Sequence, residues 1–217
     1  PLSTSCLALA LLIGIGGSSA FNLAMGSGDD KKAVHLLGNA VVLLAGSGLF
    51  LSIITFLFLK PLLLFFGSPK AVLPFAIEYT KVTAFGFPFL LLGTGGGHLI
   101  RADGRPRMTM VCNLTGAVIN TVLDALFVFG LNLGMTGAAL ATVIGQMVSG
   151  IMAIICLMHG KTVSIHKEHL FVKWENVKRI TSLGMAPCSN QVAMMIVQII
   201  MNLSLIHISE PTRQAEI

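Results

Sequence analysis

Long apolar runs separated by short polar connections make up most of this sequence. A helix that crosses the roughly 30 Å hydrocarbon core of a bilayer needs about 20 mostly apolar residues. Six runs meet that length: 2–25, 33–59, 74–100, 108–129, 137–158 and 180–202. The pattern therefore predicts an all-α integral membrane protein with six transmembrane helices. Pro61 is predicted to end the second helix, and the apolar residues after it are expected to lie along the membrane surface.

Composition supports a membrane protein over a soluble one. Of the 217 residues, 54% are hydrophobic and 11% are charged, whereas soluble domains carry about 25% charged residues. The mean hydropathy is +0.86. The net charge of +5 comes from basic residues scattered singly between apolar runs. Without a basic cluster interleaved with aromatic residues, this charge does not predict a nucleic-acid partner.

Basic residues are distributed unevenly between alternate connections. Three connections hold ten of them: Lys31, Lys32, Arg101, Arg105, Arg107, Lys161, Lys167, Lys173, Lys178 and Arg179. The two intervening connections hold only Lys60 and Lys70. The positive-inside rule places the basic set in the cytoplasm, so both ends of the six-span unit are predicted on the outer side.

A polar hairpin interrupts the fourth and fifth spans. Asp124 lies about 8 Å inside the fourth span, and Asn120 lies one turn deeper on the same face. The short connection makes the two spans antiparallel neighbours, centred on Leu133. Counting from that centre places Thr142 at the depth of Asp124, and Gln146 at the depth of Asn120. The sequence thus predicts two polar pairs facing each other across the hairpin.

These four residues form the candidate cation-coupling site. A buried carboxyl group favours its protonated form, and Na⁺ is a hard cation suited to carboxylate, amide and hydroxyl oxygens. A charge in mid-membrane is costly, so acids there tend to face a cavity or a partner. The alternative is that Asp124 reaches the outer interface and that the amides only join helices. Asn190 and Gln191 in the sixth span are candidates for a substrate cavity or for bonds between helices.

The residue pattern offers little support for a metal site or a nucleotide-binding site. The cysteines lie singly in apolar stretches, and no CxxC pair suggests zinc or a disulfide scaffold. His166 and His169 have no accompanying ligands for a metal site, so no metal or cofactor is expected beyond H⁺ or Na⁺ as a coupling ion. The glycine-rich stretch 93–97 lies in a span rather than between a strand and a helix. Close helix packing or a locally unwound segment is predicted there.

Several longer segments resemble the multidrug and toxic compound extrusion (MATE) transporters. They are "IGIGGSSAFNLAMGSGDDKKA", "LIRADGRPRM", "INTVLDALFVFGLNLGMTGAALATVIGQ" and "SLGMAPC", and the resemblance covers about residues 1–202. It implies a partial MATE-type fold with family helices 2 to 7. It also implies that Asn120, Asp124 and Thr142 match the coupling cluster of the amino-terminal lobe. The role of Gln146 rests on the depth count alone. Ala125 stands where the family commonly has proline, and Gly145 where serine is frequent.

The resemblance also implies a domain organisation. Residues 1–158 are expected to form most of the amino-terminal lobe without its first helix, and 159–179 a cytoplasmic connection between lobes. Residues 180–202 are expected to form the first helix of the second lobe. The composition changes abruptly at residue 203, and 203–217 resemble the translation of a library adapter, so we expect an artefactual tail on a fragment of a longer protein.

The function implied is H⁺- or Na⁺-driven antiport of amphipathic, often cationic drugs or toxic metabolites. The whole protein is expected to be a monomer in the bacterial inner (plasma) membrane. A lipid-linked saccharide flippase of the same superfamily is one alternative, although such proteins tend to carry basic residues in the central cavity. A membrane-embedded enzyme would need paired catalytic groups at one depth, and no Ser–His or Asp–Asp pair occurs. A non-transport membrane role remains a further alternative.

Overall fold

The fold is a bundle of α-helices. A computed structural model of the protein describes residues 2–66, 72–160 and 170–214. The helices are α1 Leu2–Gly26, α2 Asp30–Leu57, α3 Leu59–Phe65, α4 Leu73–Ala84, α5 Phe87–Ala102, α6 Pro106–Ala125, α7 Gly134–Met158 and α8 Trp174–Gln214. A π-helical turn, Leu126–Gly130, continues α6. The described ranges contain no strand, which confirms the predicted all-α class.

The predicted number of spans is confirmed, but one span consists of two helices rather than one. Among the described residues, five helices are long and apolar enough to cross a membrane. The pair α4 and α5 makes a sixth span, bent by 60°. The protein is therefore a multi-pass membrane protein. The prediction of one continuous helix over 74–100 is wrong, because this span is broken between Ala84 and Phe87.

Two prolines explain the two helix ends that the apolar pattern misplaced. A proline inside a helix clashes with the carbonyl group four residues earlier and offers it no N–H. Four residues before Pro88 is Ala84, where α4 ends, and four before Pro61 is Leu57, where α2 ends. Pro61 itself lies in the first turn of α3, where the missing N–H has no cost. The second helix thus ends at Leu57, four residues before Pro61, because a longer helix would clash with the proline ring.

The helix α8 starts earlier than the apolar pattern predicted. It begins at Trp174 rather than at residue 180 because its first turn is polar but still helical, with Glu175 favourably placed at the positive end of the helix. Its backbone stays helical to Gln214. The prediction of an adapter-derived tail over 203–217 stays a prediction, as do the lobe boundaries. The connection 159–179 lies partly outside the described residues.

Glycines let the helices approach closely around α5. This helix packs against α1, α2, α6 and α7, and Gly95 and Gly97 on it are buried. A Cβ on Gly14 of α1 would lie 2.7 Å from the Cα of Gly95, and a Cβ on Gly97 would lie 3.0 Å from Thr109 of α6. Since α5 is helical throughout, the stretch 93–97 serves close packing, and local unwinding is excluded.

An arginine ties the α5–α6 turn to the end of α7. Arg105 pairs with the buried carboxylate of Asp103 at 2.8 Å, across a turn in which Gly104 adopts a φ of +79°. The same guanidinium donates to the carbonyl oxygens of Cys156 and His159. A cation is favoured at a helix C-terminus, where the last carbonyl groups lack helical partners. This turn therefore fixes the ends of three helices, α5, α6 and α7, to one another.

Replacing Gly14 by alanine tests the close contact between α1 and α5. The new methyl group would meet the backbone of Gly95, which cannot rotate away. We expect Gly14→Ala to lower the free energy of unfolding by about 1–3 kcal/mol relative to Gly46→Ala. Gly46 is the matched control, because it is also helical but has no neighbour within 4 Å of a Cβ. Thermal unfolding in detergent, followed by circular dichroism, measures the difference. Equal stability of the two variants would contradict the packing role.

Candidate functional site

The predicted polar hairpin is formed by α6 and α7. The connection between the helices turns through Asn132 and Gly134, which both adopt positive φ angles. A cavity of about 250 Å³ lies between the two helices. Its lining is uncharged and consists of Gly116, Ala117, Asn120, Thr142, Gly145, Gln146 and Ser149. Three of the four predicted residues therefore share one cavity, and Asp124 lies one helical turn from Asn120.

Two glycines bring the helices of this hairpin into contact. A Cβ on Gly145 would lie 2.8 Å from the Cβ of Asn120 and 2.8 Å from the carbonyl oxygen of Gly116. A Cβ on Gly116 would lie 2.9 Å from the carbonyl oxygen of Gly145. The absence of a side chain at residue 145 thus lets Asn120 rest on the backbone of α7.

One side-chain hydrogen bond crosses the hairpin. Nδ2 of Asn120 donates to Oγ1 of Thr142 over 3.5 Å, and Oγ1 of Thr142 donates to the carbonyl oxygen of Ala138 over 2.9 Å. The pairs expected from counting were Asp124 with Thr142 and Asn120 with Gln146. The bond that forms instead joins one member of each pair.

A π-helical turn lies between Asp124 and the connection. Counting from Leu133 assumed regular α-helix on both sides of the connection. The turn Leu126–Gly130 is closed by a bond from the N–H of Leu131 to the carbonyl oxygen of Leu126. That i to i−5 spacing places an extra residue in the turn between Asp124 and the connection. The resulting change in depth is small, because a Cβ on Gly145, next to the counted partner Gln146, would lie 2.8 Å from the Cβ of Asn120.

Two buried acceptor oxygens at this site receive no hydrogen bond from the described part of the chain. They are Oδ1 of Asp124 and Oε1 of Gln146. A buried acceptor without a donor is destabilising by roughly 1–3 kcal/mol. The polar hairpin thus holds two unsatisfied acceptors, and one of them belongs to a carboxylate inside a membrane span.

Any metal ion here would be bound mainly through oxygen. Across the described ranges, no three histidine, cysteine, aspartate or glutamate side chains converge. The buried Cys112 and Cys156 are free thiols whose sulfur atoms lie 3.9 Å apart, between α6 and α7. Around Asp124, the additional groups are amide, hydroxyl and backbone oxygens. That donor set suits an alkali cation better than a transition metal.

Gln146 reaches the bend of the third span, a contact that sequence reasoning missed. Its Oε1 occupies the space in which a Cβ on Gly86 would stand. Gly86 is buried in the break between α4 and α5, and the bend itself was not predicted. Pro88, two residues later, was the signal that could have located it. The polar hairpin is thereby in direct contact with the broken span.

Two further observations place the remaining polar candidates. Glu78 of α4 accepts a short hydrogen bond from Thr136 in the first turn of α7, so this exposed acid already has a partner. On α8, Asn190 is exposed and Gln191 is half-buried. Neither lines the cavity between α6 and α7. Their predicted role in a substrate cavity stays a prediction.

Comparisons with known proteins agree with the fold. The MatE family model matches residues 1–126. The multidrug export protein MepA of Staphylococcus haemolyticus is 26% identical over 94% of this chain and 46% of its own length. MepA of Staphylococcus aureus is 24% identical over 95% and 46%. The chain spans about half the length of the curated relatives that it matches.

Solved structures of transporters superpose on the same region. The inward-facing conformation of a multidrug resistance MATE family transporter of the MOP superfamily gives a TM-score of 0.84 at 25% identity, covering 92% of this chain and 46% of that one. The outward-facing conformation gives a TM-score of 0.82 at 25% identity, covering 90% and 44%. A MOP superfamily transporter from Pyrococcus furiosus, described by the reverse polarity of its binding pocket, gives the same values.

The contact between Gly86 and Gln146 can be tested with a double-mutant cycle. Gly86→Ala is expected to destabilise the protein by at most about 1 kcal/mol, since its methyl group displaces only the flexible end of the Gln146 side chain. Gln146→Ala removes that amide, so adding it should restore part of the loss, with a coupling of about 0.5 kcal/mol. Thermal unfolding of the four proteins provides the measurement. Strictly additive effects would show that the two residues are not in contact.

Proposed function

This chain belongs to the MatE family, as its motifs predicted, and we propose that the protein is a cation-coupled antiporter that exports amphipathic, often cationic compounds. One observation carries this proposal. Asp124 is a carboxylate inside a span, and its buried Oδ1 receives no hydrogen bond from the described residues. It lies one turn from the Asn120–Thr142 bond and the polar cavity. The compounds would be small molecules, and H⁺ or Na⁺ would be the coupling ion.

The comparisons support export as the direction of transport. The relatives from Staphylococcus are named multidrug export proteins, and the superposed structures are transporters rather than enzymes. One of those transporters has been solved in an inward-facing conformation and one in an outward-facing conformation. Alternation between two such conformations is what an antiporter requires. A bacterial plasma membrane is the location that we propose.

Coupling follows from a difference in affinity between the two conformations. A ligand shifts a conformational equilibrium only as far as it binds one state more tightly than the other. A proton or Na⁺ on Asp124 would neutralise the only carboxylate of the hairpin and satisfy its orphan oxygen. The conformation in which this oxygen is buried would then be favoured. A membrane potential adds about 2.3 kcal/mol per charge per 100 mV to the driving force for an entering cation.

The contact with the bent span offers a route from this site to the rest of the protein. Gln146 lines the same cavity as Asn120 and Thr142, and it also fills the space beside Gly86. A cation that drew the Gln146 amide towards the cavity would withdraw it from the bend. The bend between α4 and α5 is thus the element that we expect to respond.

No observation favours a saccharide flippase. Recognition of lipid-linked diphosphates needs cationic groups, and no cationic side chain lines the cavity between α6 and α7. The Pyrococcus transporter shows that this fold also occurs with a binding pocket described as reversed in polarity. The neutral lining of the cavity between α6 and α7 is compatible with an organic cation.

The test of coupling is Asp124→Asn, made in the product of the complete reading frame. Neutralising this carboxylate should reduce efflux of a fluorescent amphipathic cation, driven by an imposed ΔpH or ΔNa⁺, by roughly 5- to 150-fold. Glu78→Gln is the matched control, because it changes an exposed acid outside the hairpin and retains an acceptor for Thr136. Initial rates in proteoliposomes are compared. Gradient-driven efflux that survives Asp124→Asn would refute the proposed role of this residue.

Thermal stability separates the two coupling ions. If Na⁺ binds at Asp124, replacing choline chloride by NaCl at constant ionic strength should raise the Tm of the wild type but not of Asp124→Asn. If a proton is the coupling ion, NaCl should have no such effect, and only an imposed ΔpH should drive efflux. A Tm that rises equally in both proteins would place the Na⁺ site elsewhere.

A further inference from the structure

A second polar pocket lies at the end of the bundle that the positive-inside rule places in the cytoplasm. It has a volume of about 340 Å³ and lies between the starts of α2 and α8. Its lining consists of Lys31, Lys32, His35, Lys173, Glu175 and Asn176. Three ammonium groups thus face one carboxylate, which leaves an excess of positive charge. The cation-coupling site uses none of these residues.

A fully buried asparagine holds this pocket together. Asn39 of α2 donates through Nδ2 to the carbonyl oxygens of His35 and Phe171, over 2.7 and 3.0 Å. Its Oδ1 accepts the backbone N–H of Lys173 over 2.8 Å. The segment before α8 is therefore fixed on α2, and Lys173 is held beside Lys31 and Lys32. The three lysines are brought together by a specific contact across more than 130 residues.

Both helices also direct their positive ends towards the pocket. Its lining includes first-turn residues of α2 and of α8, and the N-terminus of a long helix favours an anion. The nearby Asp29 is already engaged, since its side chain caps α2 by accepting the N–H of Lys32 over 3.0 Å. Asp30 is exposed and does not line the pocket. Lysine charge and helix ends thus both favour a phosphate-bearing ligand.

Aromatic side chains beside the pocket indicate where that phosphate comes from. Phe171 and Trp174 flank Lys173 in sequence and are 76% and 71% exposed. Large aromatic side chains at the end of a span prefer the membrane interface, at the level of the lipid headgroups. Basic pockets between spans on the cytoplasmic side suit anionic headgroups. A soluble phosphate would gain nothing from this apolar border.

We propose that this pocket binds the headgroup of an anionic phospholipid of the cytoplasmic leaflet. Lys31, Lys32 and Lys173 contact the phosphate, and Phe171 and Trp174 lie against the upper part of the acyl chains. The bound lipid joins the start of α2 to the start of α8. This proposal rests on the membrane orientation of the chain and is independent of the coupling role of Asp124.

The chain carries its own probe for this lipid. Trp174 is the single tryptophan of the sequence, so its fluorescence reports on the border of the pocket. Lipids with brominated acyl chains quench tryptophan on contact. In nanodiscs of mixed lipid, brominated phosphatidylglycerol should quench Trp174 at a mole fraction about fivefold or more below that needed for brominated phosphatidylcholine. Equal quenching by the two lipids would overturn the proposal.

Charge-matched variants separate the pocket from general attraction to an anionic membrane. The variant K31Q/K32Q/K173Q should lose the preference for phosphatidylglycerol. The control K60Q/K81Q/K178Q loses the same number of positive charges outside the pocket and should keep the preference. Asn39→Leu retains every lysine but releases the segment before α8, and it should lower the preference as well. Circular dichroism confirms that each variant is folded.

Two outcomes would contradict the assignment. If the pocket variant and the control lose the preference equally, the attraction is a property of overall charge. If inorganic phosphate, replacing chloride at constant ionic strength, abolishes the preference of the wild type, the pocket binds a soluble phosphate instead of a lipid. A preference that withstands phosphate and disappears only with the pocket lysines supports the lipid.

Discussion

Close backbone contact between neighbouring helices is the constraint on which this structure depends. In a bilayer, apolar side chains gain little by leaving lipid for protein, so helices associate through dispersion and a few hydrogen bonds. Those forces act only at short range. Gly14 against Gly95, and Gly116 against Gly145, bring backbones to distances that a methyl group would prevent. The same contacts place Asn120 against α7, so the polar hairpin depends on the glycines that pack the bundle.

Much of the fold was predictable because the bilayer restricts the choices. Length and apolarity located six spans, whereas the orientation indicated by lysine and arginine stays a prediction. The pattern did not predict the bend in the third span, since Phe85, Gly86 and Phe87 are as apolar as their surroundings. The information was in Pro88, whose ring excludes the carbonyl group of Ala84 from a regular helix. Hydropathy shows which residues lie in the membrane, whereas a proline shows where the backbone cannot continue a regular helix.

The candidate site was predictable in its residues but not in its contacts. Helical periodicity correctly placed Asn120 and Asp124 on neighbouring turns, and the short connection correctly made α6 and α7 antiparallel. The predicted pairing differed because a depth count gives the level of a residue along the helix and not the direction of its side chain. Asn120 lies beside Gly145, within one residue of the counted level, but its amide donates to Thr142 one turn away. The π-helical turn Leu126–Gly130 was not predicted either. The contact of Gln146 with Gly86 depends on the bend between α4 and α5, so it could not be predicted from the sequence pattern either.

Satisfaction of hydrogen bonds separates two kinds of polar residue in these spans. Asn39 is fully buried, and its amide donates to two carbonyl groups and accepts one N–H. Such a residue fixes structure, because all of its polar atoms are occupied within the protein. Asp124 and Gln146 each bury an oxygen that no described residue satisfies. That arrangement is unfavourable on its own, and it is the observation on which the proposed coupling role of Asp124 rests. Sequence alone shows asparagine and aspartate in similar apolar runs, and only their hydrogen-bond partners distinguish the satisfied side chain from the unsatisfied one.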